Sequence, residues 1–577
     1  MENRIPCGFI NEKYLNKNVN VSGWIKKNRK LGSLIFIDLY DKSGLVQIVV
    51  DSHNKNFDEC YLLTKESCVC INGDVRKRSN PNKEIPTGLY EIRLKSLKIF
   101  SKSETTPIEI NDEINSLEDI RFKYRYLDLR RKPIQNNIIL RSKIISSFRK
   151  SLEKRGFLDF ETPILSKQTP EGARDYLVPT RLGKFYSLPQ SPQIYKQLLM
   201  IAGFENYYQI AKCFRDEDLR ADRQPEFTQL DIETSFLNQE EIISLFEEII
   251  VEVFNDVLHE KITKPFLRMS YDQAMNEYGS DKPDLRFDCK IVDLTEEFKD
   301  SSFNLFKNAV KEKKCVKAVC VPNKEVEKNI IKTFEKYALD NNAKGLAWVY
   351  LKDKKLVSGS IIKILDEATI AKILKSTNIT TGTIFFIADT KEISLNALGA
   401  IRKEFANLNL VTLKSKFKFC WIIDWPLFEY SKEDNRYVSA HHPFTLPDNK
   451  YIDNFEKDPK NAKAQAYDIV LNGYEVGGGS LRIYNSELQN RMFKFLGLTQ
   501  KEIDLKFGFL LNAFKYGVPP HGGIAFGLDR LIMLMLDVSN IREIIVFPKN
   551  SSGYDLMLDT PSMVDNVLLD ELKLQIK

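Results

Sequence analysis

The amino-acid sequence predicts a multidomain α+β protein that begins with a small closed β-barrel. Three observations support this fold class. Residues 1–105 contain five short runs of alternating or β-branched residues, separated by turn-forming residues. Residues 136–275 and 416–577 combine strand patterns with helical periodicity. Residues 276–415 alternate strand and helix patterns in a way that is typical of a separate α+β block.

The length of 577 residues allows about three to five domains. We expect a barrel over residues 1–105 and a charged hinge over 106–135. A central domain is expected in two parts, 136–275 and 416–577, separated by an insertion over 276–415. In the second part we expect strands and then a final helix at Leu528–Leu536.

The composition alone excludes few function classes. A formal net charge of +6 is too small to indicate a nucleic-acid partner unless the basic residues are clustered. No stretch reaches about 18 uncharged apolar residues, so we expect no membrane span. The nine cysteines lack metal-site spacing, and Cys68 and Cys70 are expected to pack on one strand face. Reduced thiols and the absence of a signal peptide favour a cytoplasmic location.

The first hundred residues predict a five-stranded barrel such as an OB-fold, because five strands separated by Gly, Asn, Asp and Pro fit within this length. The expected strands are Val19–Ile25, Leu34–Tyr40, Leu45–Val50, Ser67–Val75 and Leu89–Phe100.

One face of this barrel has the composition of a surface that binds single-stranded nucleic acid. Phe36 and Gln47 point away from the aliphatic face of their strands, and the basic run Lys26–Lys30 lies just before Phe36. Stacking of a base on an aromatic ring contributes about 1–3 kcal/mol, and cations attract the phosphates. The same pattern is compatible with an aromatic ring packed under a loop and a solvated basic turn.

A charged loop separates two further strand-like runs, Tyr207–Arg215 and Glu226–Phe236. The loop holds four acidic residues and two arginines within nine positions, and such loops are commonly only solvated. In the second run Gln229, Asp231 and Glu233 share one face. The polar residues continue from the loop into the strands in the strings Phe214-Arg215-Asp216-Glu217 and Arg223-Gln224-Pro225-Glu226-Phe227-Thr228-Gln229.

Two carboxylates near the middle of the last part are expected to converge. Asn472-Gly473 between apolar residues is a strong signal for a two-residue hairpin, which places Glu475 opposite Val470 and diagonal to Asp468. Two carboxylates together with phosphate oxygens and water form a typical Mg²⁺ site. A pair of exposed acids on an edge hairpin would show the same pattern.

Together these strings resemble the class II aminoacyl-tRNA synthetases of subclass IIb, in their bacterial aspartyl form. The strings around Arg215 resemble motif 2 of that family, and all three family motifs occur in order along nearly the whole chain. The other matching strings are Gly156–Pro163 (motif 1), Thr169–Asp175, Gln190–Lys196, Gly279–Asp284, His441–Thr445, Glu475–Arg482 and His521–Arg530 (motif 3).

The resemblance implies an antiparallel sheet with flanking helices, different from a Rossmann fold, and an anticodon-binding OB-fold. It also implies functional roles for individual residues. The catalytic residues would be Arg215 and Arg530. The aspartate ligands would be Glu171, Ser191, Gln193, Lys196, Arg215, Asp231, His441 and Arg482. The ATP ligands would be Arg215, Asp216, Glu217, Gln224, Phe227, Glu475, Gly527, Leu528, Asp529 and Arg530. The Mg²⁺ ligands would be Asp468 and Glu475, and the anticodon contacts Arg29, Leu31, Phe36 and Gln47.

The activity implied by the resemblance is the ligation of L-aspartate to tRNA-Asp, with ATP as substrate and Mg²⁺ as cofactor, in a homodimer formed through motif 1. Lys196 and Arg482 would make the amino-acid pocket cationic. Three alternatives remain open: charging of tRNA-Asn as well, a sister enzyme for asparagine or lysine, and a non-catalytic RNA-binding paralogue. Leu31 favours strict use of tRNA-Asp.

Overall fold

The computed structural model describes residues 3–113, 115–168 and 172–576. The chain forms two compact units, Met1–Arg131 and Lys132–Lys577, which are described separately. None of the helices in these described ranges has the length and hydrophobicity that a bilayer span requires.

The first unit contains the predicted closed barrel, with strand order β1-β2-β3-β5-β4. The aliphatic residues expected to point inward, including Ile35, Ile37 and Leu39, are fully buried. The basic run Lys26–Lys30 extends strand β1 instead of forming a turn. The elements are β1 (Asn18–Leu31), β2 (Leu34–Asp41), β3 (Gly44–Asp51), α1 (Phe57–Leu62), β4 (Cys68–Lys77) and β5 (Tyr90–Ser101), preceded by two short 3₁₀ turns.

The segment expected to be a hinge contains two short helices, α2 (Glu118–Lys123) and α3 (Arg125–Asp128). The fully buried Asp128 carboxylate forms ion pairs with Arg121, Arg125 and Arg131 at 2.6–3.0 Å. The sequence of this segment shows little apolar periodicity, because its buried contacts include ion pairs as well as apolar side chains.

The second unit is built on an eight-stranded sheet with strand order β11-β17-β22-β23-β24-β10-β9-β6. Its pairs are antiparallel, as predicted, except that β6 and β11 add to the two edges in parallel. The elements before residue 271 are α4 (Lys132–Glu153), β6 (Leu158–Asp159), β7 (Leu177–Pro179), β8 (Phe185–Ser187), α5 (Gln193–Ile201), β9 (Asn206–Phe214), β10 (Glu226–Ser235), α6 (Gln239–Leu258) and β11 (Leu267–Ser270).

One face of this sheet packs on helices and the other face carries polar groups. In β10, Leu230 and Ile232 join an apolar core with Phe148 of α4 and Phe246 of α6. The alternate residue Asp231 is equally buried but lies on the opposite face, because side chains alternate along a strand. The polar face is therefore shielded from water, and charged groups there interact strongly.

The insertion forms a five-stranded sheet with order β12-β13-β16-β14-β15. The alternation of strands and helices predicted for residues 276–415 is confirmed. The elements are α7 (Tyr271–Tyr278), β12 (Val292–Asp293), α8 (Asn304–Lys311), β13 (Cys315–Pro322), α9 (Lys328–Asp340), β14 (Ala347–Lys352), β15 (Lys355–Gly359), α10 (Glu367–Thr377), β16 (Gly382–Asp389) and α11 (Lys391–Asn407).

The last part returns to the large sheet and then adds more helix than predicted. The expectation that Leu528–Leu536 is the final helix is wrong, because α15 follows it. Helices α12 and α13, which precede it, were also not predicted, and they contribute to a separate apolar core around Phe444 and Phe493. The elements are β17 (Phe419–Ile423), β18 (Trp425–Pro426), β19 (Phe428–Ser431), β20 (Arg436–Ser439), β21 (Lys463–Ala464), β22 (Ala466–Leu471), β23 (Tyr474–Leu481), α12 (Ser486–Phe495), α13 (Gln500–Ala513), β24 (His521–Gly527), α14 (Leu528–Met535) and α15 (Asn566–Leu572), with two further 3₁₀ turns.

Candidate active site

A cavity of about 370 Å³ opens on the polar face of the eight-stranded sheet. Strands β10, β23 and β24 form its floor, and the loop after β9 and the start of α5 form its walls. The candidate residues that line it are Ser191, Gln193, Lys196, Arg215, Glu217, Gln224, Phe227, Asp231, His441, Asp468, Glu475, Arg482, Gly527, Asp529 and Arg530.

Lys196 and Arg482 meet in one buried ion network. Helix α5 presents Lys196, whose ammonium lies 2.5 Å from Asp231 Oδ1 and 3.2 Å from Glu233 Oε2. Arg482, just beyond β23, donates from Nε and Nη2 to the two oxygens of Glu233 at 2.9 and 3.1 Å. All four side chains are at most 2 % exposed, so the network is rigidly enclosed.

The two carboxylates of this network have opposite electrostatic behaviour. Burial opposes ionisation of Glu233, but the charges of Arg482 and Lys196 outweigh it and lower its pKa to about 2. Burial dominates at Asp231 and raises its pKa in spite of Lys196. The prediction of a purely cationic pocket is therefore incomplete, because Glu233 is an ionised counter-ion for Arg482.

Arg482 still has capacity for a ligand. Its Nη1 group donates to Ser480 Oγ at 2.6 Å and faces His442 Nε2 at the same distance. With the two bonds to Glu233, contacts in the described part of the chain engage four of the five N–H groups of the guanidinium. The remaining N–H on Nη2 is available to an anion in the cavity.

The two adjacent histidines are neutral groups at the edge of this network. His441 packs edge-on against Trp425, with ring centroids 4.7 Å apart. Burial and the charge of Arg482 lower the pKa of His441 to about 4. The same causes, in the same order, lower the pKa of His442. Neither imidazole therefore adds positive charge near neutral pH.

Arginine side chains form the other end of the cavity. The Arg215 guanidinium lies over the Phe227 ring, 5.1 Å from its centroid. Arg530, in the first turn of α14, donates from Nη1 to the Glu475 carbonyl at 2.8 Å and pairs with Asp222 at 3.1 Å. A planar aromatic surface and two guanidinium groups thus face one space.

Asp468 and Glu475 converge on adjacent strands in the predicted hairpin register, with Val470 paired to Glu475. A Cβ on Gly478 would lie 2.8 Å from Asp468 Oδ1 and 3.7 Å from Glu475 Oε1, so only glycine leaves room for both carboxylates. Burial and the neighbouring Glu475 charge raise the pKa of Asp468 well above its usual value. Both members of such a pair are ionised together only when a positive charge lies near them.

Six polar atoms that line the cavity are buried and have no hydrogen-bond partner among the described residues. Buried polar groups are paired in the great majority of native structures, so a cluster of unpaired groups indicates a missing ligand. The atoms are Gln193 Nε2, Arg215 Nε, Asp231 Oδ2, His441 Nε2, Asp468 Oδ1 and Arg530 Nε. Donors and acceptors are both present, which fits a ligand with acidic and basic groups.

Some candidate residues already have other partners or face elsewhere. The Gln224 amide pairs with the backbone of Lys549, and Asp529 accepts bonds from Arg141 and the Thr228 amide. The backbone of Asp216 pairs with that of Arg174, and the Leu528 side chain is buried in the core. Gln224 and Asp529 nevertheless line the cavity, whereas the Leu528 side chain does not. Contact of Gln224, Asp529 and Leu528 with a nucleotide stays a prediction. Glu171 lies outside the described residues.

Three functional groups were missed by sequence reasoning. Glu233 was noted only as a neighbour of Asp231 on one strand face, although that alternation was the signal for its role. His442 and Asp222 contact Arg482 and Arg530, respectively. Their contacts join residues that are distant in the sequence, so no local pattern indicated them.

The first unit carries a separate candidate surface on β1–β3. Phe36 is half-buried and pairs in register with Arg29, while Leu31 is 64 % exposed. Gln47 lies on this face, where Arg29 and Arg78 donate to its amide oxygen and its amide nitrogen donates to Glu91. The aromatic ring and Arg29 remain accessible beside this hydrogen-bonded patch.

Comparison with known sequences matches both units. The family described as tRNA synthetases class II (D, K and N) matches residues 117–551, and that described as OB-fold nucleic acid binding domain matches residues 19–100. The chain is similar to the aspartate–tRNA ligase of Malacoplasma penetrans, with 58% identity over 100% of this chain and 99% of the relative. It is also 48% identical to the aspartate–tRNA(Asp/Asn) ligase of Caldanaerobacter subterraneus, over 99% and 98% of the two chains.

Solved structures show the same fold. The asparaginyl-tRNA synthetase of Pyrococcus horikoshii, in complex with asparaginyl-adenylate, superposes with a TM-score of 0.61 and 19% identity. The match covers 95% of this chain and 98% of that structure. At this identity the likeness shows the fold alone.

Proposed function

Because the chain belongs to the class II tRNA synthetases of the D, K and N type, we propose that it joins L-aspartate to tRNA-Asp in an ATP-dependent reaction. Aspartate is first activated to aspartyl-adenylate with release of diphosphate. The aspartyl group is then transferred to the 3′ end of the tRNA. The chain is thus an aminoacyl-tRNA ligase.

One observation carries this proposal: Lys196 and Arg482 line the same cavity as Arg215 and Arg530. Two buried cations at one end suit a side-chain carboxylate, and two arginines at the other end suit phosphates, since a planar guanidinium binds both groups with paired bonds. A cavity with both ends can align an acidic amino acid with a nucleotide.

The amino acid would be held by groups of both signs. The free N–H of Arg482 and the Lys196 ammonium would receive the β-carboxylate, with His441 at its edge. The unpaired Asp231 Oδ2 would accept the α-ammonium, together with Ser191, Gln193 and Glu171. Asparagine would leave the cations incompletely paired, and a charge-assisted bond contributes about 1.5–3 kcal/mol.

ATP is the proposed occupant of the arginine end. Adenine would stack between Phe227 and Arg530, and Arg215 would bind the α-phosphate. The walls of this part of the cavity would be formed by Glu217, Asp216, Gly527, Leu528 and Asp529.

The acidic pair is the proposed Mg²⁺ site. Asp468 Oδ1 has no partner among the described residues, and Gly478 leaves space beside both carboxylates. Both features fit a Mg²⁺ ion held by Asp468 and Glu475. In the described residues no third protein ligand joins them, which suits an ion that takes its other ligands from phosphate and water. When bound, Mg²⁺ would neutralise phosphate charge.

The protein's own contribution to activation is alignment and charge stabilisation. Arg215 would hold the aspartate α-carboxylate next to the α-phosphorus and stabilise the negative charge that grows on the phosphate oxygens. No described side chain is required as a general base, since the attacking carboxylate is already ionised near neutral pH. Arg215 and Arg530 are therefore the proposed catalytic residues.

The other parts of the chain serve the RNA and the assembly in this proposal. The barrel, residues 1–105, would read the anticodon with Arg29, Leu31, Phe36 and Gln47, and residues 106–135 would join it to the catalytic domain, 136–275 and 416–577. Motif 1, Gly156–Pro163, would form a homodimer interface, because β6 is an edge strand. The nine free cysteines suit a cytoplasmic location.

The range of tRNA substrates is tested by charging purified tRNA-Asp and tRNA-Asn with labelled aspartate. We expect efficient charging of tRNA-Asp. The relative named for both tRNAs makes tRNA-Asn a second candidate substrate, whereas Leu31 favours tRNA-Asp alone. Absence of charging on tRNA-Asp, with the protein folded, would contradict the proposed function.

A further inference from the structure

The hairpin that carries Asp468 and Glu475 ends in a turn that packs against the start of the insertion. Gly473 has a φ of +86°, and a Cβ on it would lie 3.2 Å from Asp284 Cβ. On the other side, Asn472 accepts a bond from the Lys418 amide and donates to the Lys416 carbonyl, both at 2.9 Å. The turn is therefore held between the central sheet and the loop 284–289.

A buried arginine of the insertion fixes this loop. Arg402 of α11 is 2 % exposed and donates to the carbonyls of Asp284, Phe287 and Cys289 at 2.9, 3.2 and 2.7 Å. Its guanidinium also stacks on Tyr278 and Phe287, with centroid distances of 4.8 and 4.3 Å. Arg402 thus holds three backbone positions of the loop that supports the turn.

The next residue of the same helix contacts the hairpin directly. The Lys403 ammonium lies 5.3 Å from the centroid of the Tyr474 ring. Tyr474 immediately precedes Glu475, whose carbonyl accepts a bond from Arg530. Helix α11 therefore reaches the hairpin by two routes, one through the loop 284–289 and one through Tyr474.

We propose that the insertion positions the metal-binding hairpin, with Arg402 and Lys403 as positioning residues that set the separation of Asp468 and Glu475. This inference rests on the proposed Mg²⁺ site. Mg²⁺ demands nearly ideal octahedral geometry, so a small displacement of either carboxylate weakens its binding. Partners that orient metal ligands commonly change metal affinity by about 10–100-fold when they are removed.

The test uses the full chain and a binding measurement without aspartate, so that no activation occurs. Calorimetric titration with ATP over a range of Mg²⁺ concentrations gives the Mg²⁺ concentration for half-maximal enhancement of ATP binding. Arg402→Gln should raise this concentration by about 10–100-fold. Lys403→Ala should raise it by a smaller factor, and neither variant should change the affinity for aspartate measured alone.

The matched control is Lys391→Ala, since Lys391 is an exposed lysine of α11 that lies about 18 Å along the helix axis from Lys403. It should leave the Mg²⁺ requirement unchanged. If Arg402→Gln fails to fold, as judged by its circular dichroism, the Mg²⁺ requirement of Lys403→Ala tests the inference, because Lys403 is exposed and its replacement is compatible with folding. An unchanged Mg²⁺ requirement in the folded variants, or an equal loss of aspartate affinity, would overturn the inference.

A separate variant distinguishes failure of the inference from failure of the metal site. Asp468→Asn should abolish the Mg²⁺-dependent enhancement of ATP binding. If the unmodified chain shows no enhancement that this variant removes, the metal assignment itself is wrong. If Asp468→Asn behaves as expected while Arg402→Gln and Lys403→Ala match the control, only the positioning role is refuted.

Discussion

At the scale of single residues, the proposed recognition of an acidic side chain depends on Glu233, a buried carboxylate that does not line the cavity. Glu233 binds Arg482 through two bonds and also pairs with Lys196. Its pairing with Arg482 could not be predicted from a local pattern, since Arg482 lies 249 residues away in the sequence. Strand alternation alone did place Asp231 and Glu233 on one face, so the sequence predicted that the two carboxylates of the ion network lie together.

Glu233→Gln tests the role of this carboxylate. Loss of the charge leaves two buried cations poorly compensated, and breaking a buried pair costs about 3–5 kcal/mol. We expect a lower free energy of unfolding in urea and a higher KM for aspartate. The control Glu252→Gln removes a partly exposed ion-pairing carboxylate and should cost at most about 1 kcal/mol. Similar unfolding curves for the two variants would be inconsistent with the buried network.

His441 gives the chain a defined pH dependence. In the folded state its pKa is about 4, whereas the ordinary value is 6.5. Between these values the unfolded chain binds an additional proton, so the free energy of unfolding falls as the pH is lowered from 6.5 to 4. His441→Gln removes this contribution.

The measurement is the difference in unfolding free energy between the parent chain and His441→Gln at several pH values. We expect the stability of the parent relative to the variant to decline as the pH falls through this window and to be constant above pH 7. A difference that stays the same from pH 4 to pH 7 would show that His441 is not held neutral by the fold.

At the scale of elements, short sequence patterns predicted the strands and turns whose structure depends mainly on neighbouring residues. The Asn-Gly signal predicted the pairing of Val470 with Glu475, and a bulge beyond it shifts the register so that Asp468 pairs with Gly478. Alternation predicted the five barrel strands. Helices α12 and α13 were missed because the sequence does not reveal how their apolar residues pack. Those of α13 lie in one core with Phe444, whereas those of α12 are divided between that core and a second core formed with the neighbouring strands. The hydrogen bonds of Gln47 to Arg78 and Glu91 were likewise not predicted, because these partners lie 31 and 44 residues away in the sequence.

The barrel face leads to a prediction about RNA binding. Phe36→Ala should weaken tRNA binding by about 1–3 kcal/mol, because one stacked base loses its platform. The rate of aspartate activation should be unchanged. Phe100→Ala, which removes an exposed ring elsewhere on the barrel, is the control. Gel-shift or fluorescence titration with tRNA-Asp measures both variants, and equal weakening in both would exclude a specific platform at Phe36.

At the scale of the whole molecule, the eight-stranded sheet brings together residues from segments that are far apart in the sequence. Asp231, Arg482 and Arg530 come from β10, the end of β23 and the start of α14. The family strings predicted that these residues act together, but periodicity alone could not, because the strand order places β24 between β10 and β23. The insertion also contacts the hairpin that carries the acidic pair, through Asp284 at Gly473 and Lys403 at Tyr474.

In the proposed function, one cavity holds an acidic amino acid by its side chain and aligns it with ATP. The most direct test is amino-acid-dependent ATP–diphosphate exchange with aspartate, asparagine and lysine, for the parent chain and for Arg482→Ala. Aspartate should drive exchange, and exchange with asparagine should be slower by about 10- to 150-fold. Arg482→Ala should lose aspartate-driven exchange and retain tRNA binding. Exchange driven equally by asparagine or lysine, or undiminished in Arg482→Ala, would contradict the claim.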